Sequence, residues 1–216
     1  GLARCASRTV TRSVARSKKL TVLVGCGEGA DEDSPLSAQE ATSVLPGGKA
    51  VSGWDVAAAP SAYVQKKALE FGLTSCYTKA SCENVRFAGR SVFMKAQKPG
   101  ITFSILTYQD AETAQLAYTS VWEAWNGRVP KAKRVNLGKI GDRNNAVTGL
   151  DVSGVPGSKS VLSQVRVGSV ILLTHGAAAP KVELSDSLIG RCATAFAERA
   201  QQAQDGETPS AGLESG

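Results

Sequence analysis

Histidine occurs once in this sequence, at position 175, and that scarcity limits the chemistry open to the chain. Structural zinc sites use four Cys and His ligands, and Cys76, Cys82 and one histidine fall short of that set. No metal or other cofactor is expected. A Gly-x-Ser-x-Gly elbow is missing too, so no serine is marked as a nucleophile. The acids Glu112, Asp142 and Asp151 fall in loops and helix starts, with no spacing that identifies a catalytic pair. There is no run of 18 apolar residues, the length a membrane-crossing helix needs. His175 follows Thr174 at an expected strand end and reads as structural or exposed.

Acid is absent from the first 25 residues, which carry Arg4, Arg8, Arg12, Arg16, Lys18 and Lys19. Of 25 Lys and Arg in the chain those six account for the whole net charge of +6, leaving 19 bases against 19 acids from Cys26 onward. A nucleic-acid partner needs its basic patch on the folded body, so none is expected. Residues 1–25 instead read as a leader. An organelle transit peptide shares this composition. No Arg-Arg pair marks a twin-arginine signal.

The segment Gly25-Cys26-Gly27-Glu28-Gly29 after Val22-Leu23-Val24 has two readings. As a strand entering a glycine loop, it would hold a nucleotide or methyl donor at a helix N-terminus. The continuation Ala30-Asp31-Glu32-Asp33-Ser34-Pro35 puts acids and a proline where that helix should begin. As an address, Leu23, Val24 and Gly25 before Cys26 form a lipobox, and an acidic, polar tether follows, long enough to stand a domain off its membrane. The lipobox reading is preferred, with Cys26 acylated. An ordinary edge strand and turn is the bland alternative.

Four spans follow: a leader over 1–25, a lipidation site and tether over 26–36, one domain over 37–204, and a polar, disordered tail over 205–216. Ser37-Ala38-Gln39-Glu40 is a capping box opening a short helix that Pro46-Gly47-Gly48 ends. A second helix is expected over Ser61–Phe71. Strands are expected over Asn84–Ala96 and Ile101–Tyr108, joined by a type II turn at Lys98-Pro99-Gly100 with the glycine at positive φ. Ile101, Phe103 and Ile105 alternate with Thr102 and Ser104, predicting one buried and one wet face.

Asp110 caps the clearest helix, whose stripe of Ala114, Ala117, Tyr118, Val121, Trp122 and Trp125 reads as core. Arg128–Lys159 is loop-rich, with one strand near Arg134–Leu137 and an exposed basic run of Arg128, Lys131, Lys133 and Arg134, open to anionic headgroups or wall polymers. Val161–Val167 and Val170–Thr174 form a hairpin on Gly168-Ser169. A last helix spans about Asp186–Gln202. The pattern predicts an α+β fold, an antiparallel sheet of hairpins with helices packed on one face, and its repeated hairpin-then-helix unit hints at two related halves.

Cys76 and Cys82 stand six apart in a polar stretch, where a disulfide is sterically reasonable and suits an oxidising exterior; two free thiols are the alternative. Cys5 lies in the leader. Cys192, on an apolar helix face, is expected buried and free, unless it pairs with Cys76 or Cys82.

Leu45-Pro46 ahead of Gly53-Trp54, Cys76 with Cys82, Tyr108-Gln109-Asp110-Ala111-Glu112-Thr113-Ala114, and Val165-Arg166-Val167-Gly168-Ser169-Val170 together resemble actinobacterial sensor-domain lipoproteins. They also resemble the extracellular sensor domain of a mycobacterial membrane serine/threonine kinase. The resemblance covers about Ser37–Ala203. It implies an exported α+β domain with disulfides and a ligand-sized cleft, not an enzyme. That sensor domain has two disulfides, and the body of this chain offers three cysteines besides Cys26. The expected function is therefore a non-catalytic, ligand-binding or sensor lipoprotein on the outer face of a bacterial cytoplasmic membrane. Its partners would be the membrane, through the lipid anchor, and a small ligand or envelope protein. The alternatives are an accessory envelope lipoprotein, or a small enzyme using Gly25–Gly29 as a cofactor loop or His175 in a cleft.

Overall fold

The computed structural model describes residues 35–73, 75–96 and 99–213. Seven strands form one antiparallel sheet: β1 (Asp55–Val64), β2 (Phe87–Met94), β3 (Gly100–Thr107), β4 (Lys133–Arg134), β5 (Arg143–Gly149), β6 (Lys159–Val167) and β7 (Val170–Ala178). Their spatial order is β1-β2-β3-β7-β6-β5-β4, so two meanders meet where β3 pairs with β7, from Gly100 opposite Ala177 to Thr107 opposite Val170. The α+β class and the antiparallel sheet are as the pattern predicts.

The helices α1 (Ala38–Val44) and α5 (Asp186–Gln204) pack together on one face. That face holds a core of Val44, Phe93, Phe103, Leu172 and Phe196, in which Phe103 meets Phe93 and Phe196 edge-on at 5.8 and 5.3 Å. The opposite face is covered as well. There α4 (Ala111–Asn126) lies over β6 and β7, with α2 (Gln65–Glu70) and α3 (Lys79–Cys82) beside it, around Leu106, Tyr118, Trp125, Leu162 and Ile171. Successive residues of β7 alternate between the two cores, Val170 and Leu172 to one and Ile171 and Leu173 to the other. The hairpin-then-helix unit does occur twice, as β2-β3-α4 and β6-β7-α5, but its helices lie on opposite faces.

Local signals at helix ends work as their chemistry requires. The Ser37 amide donates to Glu40 Oε2 at 2.7 Å and the Glu40 amide to Ser37 Oγ at 3.2 Å, closing the capping box. Asp110 accepts the Thr113 amide at 2.7 Å to start α4, and Ser185 caps α5. Gly168 turns the β6–β7 hairpin at φ 52°.

Several expectations are corrected. Ser61–Phe71 is not one helix: Ser61–Val64 ends β1, and only Gln65–Glu70 is helical. Asp55–Val64 is rich in alanine and contains Pro60, a residue tolerated on an edge strand because no neighbour needs its amide. β5, Arg-Asn-Asn-Ala-Val-Thr-Gly, is a polar strand inside the supposed loop region. The second face of β3 is not wet, because helices cover it: Ser104 is buried and Thr102 half-buried. Gly100 opens β3 without a positive φ, and the rest of the supposed turn lies outside the described residues. Leu36, assigned to the tether, is buried in the core.

The polar tail is likewise ordered through Leu213. Arg199 on α5 is buried and donates to the Ala211 carbonyl at 2.9 Å, and Gln202 Oε1 accepts the Ser210 amide at 2.8 Å. The Leu213 amide reaches the Ala50 carbonyl at 2.7 Å beside a bridge between Val51 and Leu213.

Candidate functional site

Leu23, Val24, Gly25 and the proposed lipidation site Cys26 lie outside the described residues, as do Cys5 and the glycine loop through Gly29. Cys76 and Cys82 are joined in a disulfide, with Cα atoms 4.9 Å apart. The bridged loop is tied to the body on several sides. Trp125 Nε1 donates to the Ser75 carbonyl at 2.6 Å, Gln65 Nε2 donates to the Cys82 carbonyl at 2.6 Å, and Tyr77 meets the Trp125 ring edge-on at 5.2 Å. Arg128 stacks over Tyr77 with its guanidinium carbon 4.1 Å from the ring centre. Cys192 is a free, buried thiol, and burial pushes its pKa up to about 12, so it stays protonated and unreactive.

His175 lies inside β7, not at its end, because the strand runs on to Ala178. It faces α4, with the Trp125 ring 6.1 Å away and Ser160 Oγ 2.8 Å from Nε2. Burial lowers its pKa from the ordinary value, Asp151 works the other way, and Arg128 lowers it further. The imidazole is therefore neutral at pH 7. Ser160 is fully buried, so its hydroxyl faces no open space where a substrate carbonyl would sit. The pair satisfies polar atoms within a covered sheet face.

Two of the three acids have local partners. Asp142 pairs with Arg166 at 3.2 Å and accepts the Gly168 amide at 2.8 Å. Asp151 accepts the Ser153 amide and hydroxyl, while Glu112 occupies the first turn of α4. No cluster of three metal-ligating side chains occurs among the described residues.

Two depressions flank the segment Arg134–Leu137. One is a groove of about 720 Å³ along α5, with Leu137 and Leu213 on its apolar sides and Asn136, Arg191, Thr194 and Glu198 as polar groups. The other is a cleft of about 330 Å³ lined by Trp122, Arg134, Val135, Asn136, Asn144, Asn145 and Ala146. Arg134 is the member of the expected basic run that enters a cleft; Lys131 and Lys133 are exposed beside it. Sequence reasoning missed the three asparagines: Asn136 lies in the short strand expected near Arg134–Leu137, and Asn144 and Asn145 lie in the part read as loop. It placed Trp122 in the core stripe. Ala114, Tyr118, Val121 and Trp125 are the buried members of that stripe, and Trp122, one step round the helix from Val121, is half-buried at its margin.

No model of a known protein family matches the chain, and no curated protein matches it significantly. Among solved structures, the extracellular domain of PknH from Mycobacterium tuberculosis aligns with a TM-score of 0.49 and 9% identity, over 73% of this chain and 94% of that one. So distant a likeness says nothing about what this chain binds. No described helix is long and apolar enough to cross a membrane.

Proposed function

We propose that this chain is an exported lipoprotein, acylated at Cys26, whose α+β domain binds a ligand outside the cytoplasmic membrane. The observation that carries this reading is the Cys76–Cys82 disulfide and its tie to the sheet through Ser75 and Trp125. Such a bridge persists in oxidising compartments and is rare where thiols are kept reduced. The confinement of excess charge to residues before Cys26 supports export, since a neutral body follows a basic leader. The two concave depressions beside Arg134–Leu137 support binding, since both combine an apolar wall with convergent polar groups.

Intact mass of the protein extracted from native membranes tests the address. The expected species begins at Cys26 and carries acyl groups, and Cys26→Ala moves the protein out of the membrane fraction. An unmodified chain that retains residues before Cys26 would overturn the proposal.

A further inference from the structure

The cleft beside Trp122 exists because β5 is only partly paired along its outer edge. The two residues of β4 pair with Thr148 and Val147, and the Val135 amide adds a bond to the Ala146 carbonyl at 3.0 Å. Beyond that point the chain turns away: Asn136 Oδ1 accepts the Gly138 amide at 2.9 Å. Asn144 Nδ2 then donates to the Gly138 and Ile140 carbonyls at 3.1 and 3.2 Å, pinning the departing loop. A concave space remains over the end of β5, walled by Trp122 and Arg134. Its rim is held before anything binds, since the Asn136 and Asn144 side chains are already bonded to the backbone of Gly138 and Ile140.

Its chemistry is specific. Part of the Trp122 indole packs on the core and the rest lines the cleft, giving a flat apolar wall. The Asn145 side chain, half-exposed, has no hydrogen-bond partner among the described residues. An amide offers a donor pair and an acceptor in one plane. Arg134 is exposed and has no acidic partner among the described residues, and no carboxylate lines the cleft. An apolar plate, an open amide and an unpaired guanidinium fork match a ring with a C–H face, hydroxyls at its edge and a carboxylate or phosphate.

We propose that this cleft binds one ring of an acidic saccharide. The ring stacks on Trp122, its hydroxyls meet Asn145, and its anionic group is held by Arg134. Lys131 and Lys133, exposed on the same segment, raise the local concentration of such a polyanion. The site names a ligand class for the binding function proposed above.

The test uses the full chain carrying Cys26→Ser, so that its result does not depend on lipid anchoring. Calorimetric titrations compare digalacturonic acid with a neutral disaccharide, AMP and inorganic phosphate. Saturable binding of digalacturonic acid is expected, about tenfold tighter than the neutral disaccharide. Trp122→Ala, Asn145→Ala and Arg134→Ala should each weaken it, Trp122→Ala by about tenfold. Asn145→Ala removes no core contact, and the urea midpoint of each variant separates lost binding from lost folding. Three results would overturn the proposal: no saturable binding of digalacturonic acid, preference for AMP or phosphate, or affinity unchanged in folded Trp122→Ala and Asn145→Ala. Arg191→Ala, in the α5 groove, should leave binding unchanged, and a loss there would move the site to that groove.

Discussion

Replacing Arg199 with methionine should unfold the C-terminal strap and cost the domain about 3 kcal/mol. Arg199 is 8% exposed, and each guanidinium nitrogen has a carbonyl: Nε to Val44 at 2.8 Å, Nη2 to Ser43 at 2.7 Å and Nη1 to Ala211 at 2.9 Å. Two of those carbonyls end α1, where a positive charge is favourable. Hydrogen bonds from a charged donor contribute about 1.5–3 kcal/mol each. They do not add, because methionine also avoids desolvating a charge. Methionine keeps the apolar stem but leaves the carbonyl of fully buried Val44 without a partner. A net loss of about 3 kcal/mol corresponds to about 6–12 °C in Tm for a domain of this size. Urea unfolding gives the free energy, and hydrogen exchange at residues 207–213 reports the strap. Arg199→Lys should recover less than half, since an ammonium cannot reach three diverging carbonyls in the same fork. If Arg199→Met stays within about 0.5 kcal/mol of the parent, desolvation cancels the bonds and the reasoning fails.

Cys76→Ser with Cys82→Ser should lower stability by about 2 kcal/mol, the loop-closure value for so short a ring; thermal melts should then no longer respond to reductant, and an unchanged Tm would refute this. His175 predicts a pH dependence. Burial lowers its folded pKa below 6.5, so as pH falls through about 6.5 the unfolded chain gains a proton that the folded chain resists, and stability drops. Between about pH 7.5 and 5.5 the urea midpoint of His175→Gln should fall less than that of the parent. Equal falls would show that His175 titrates alike in both states.

Some of this protein was already decided residue by residue along the chain. Ser37 with Glu40, and Asp110 before an apolar stripe, specify helix starts through bonds within four residues, and both helices form there. Gly168-Ser169 sets a hairpin for the same reason, and Cys76 and Cys82 are close enough in sequence to join within one loop.

What tertiary structure decided is how far burial reached. β1 and β5 carry small and polar side chains, and they are strands because β2 and β6 offer them a paired edge. Where β1 crosses Gly89, a Cβ there would stand 2.6 Å from that of Ala62, an approach no local pattern announces. The polar tail is held because Arg199 and Gln202 reach it from α5. Trp122, Arg134 and Asn145 meet because α4, β4 and β5 converge around one sheet edge. Local hydrogen bonds and periodicity act over a few residues and can be read in order, whereas a cleft assembled from residues 122 to 146 depends on which edge the sheet leaves unpaired.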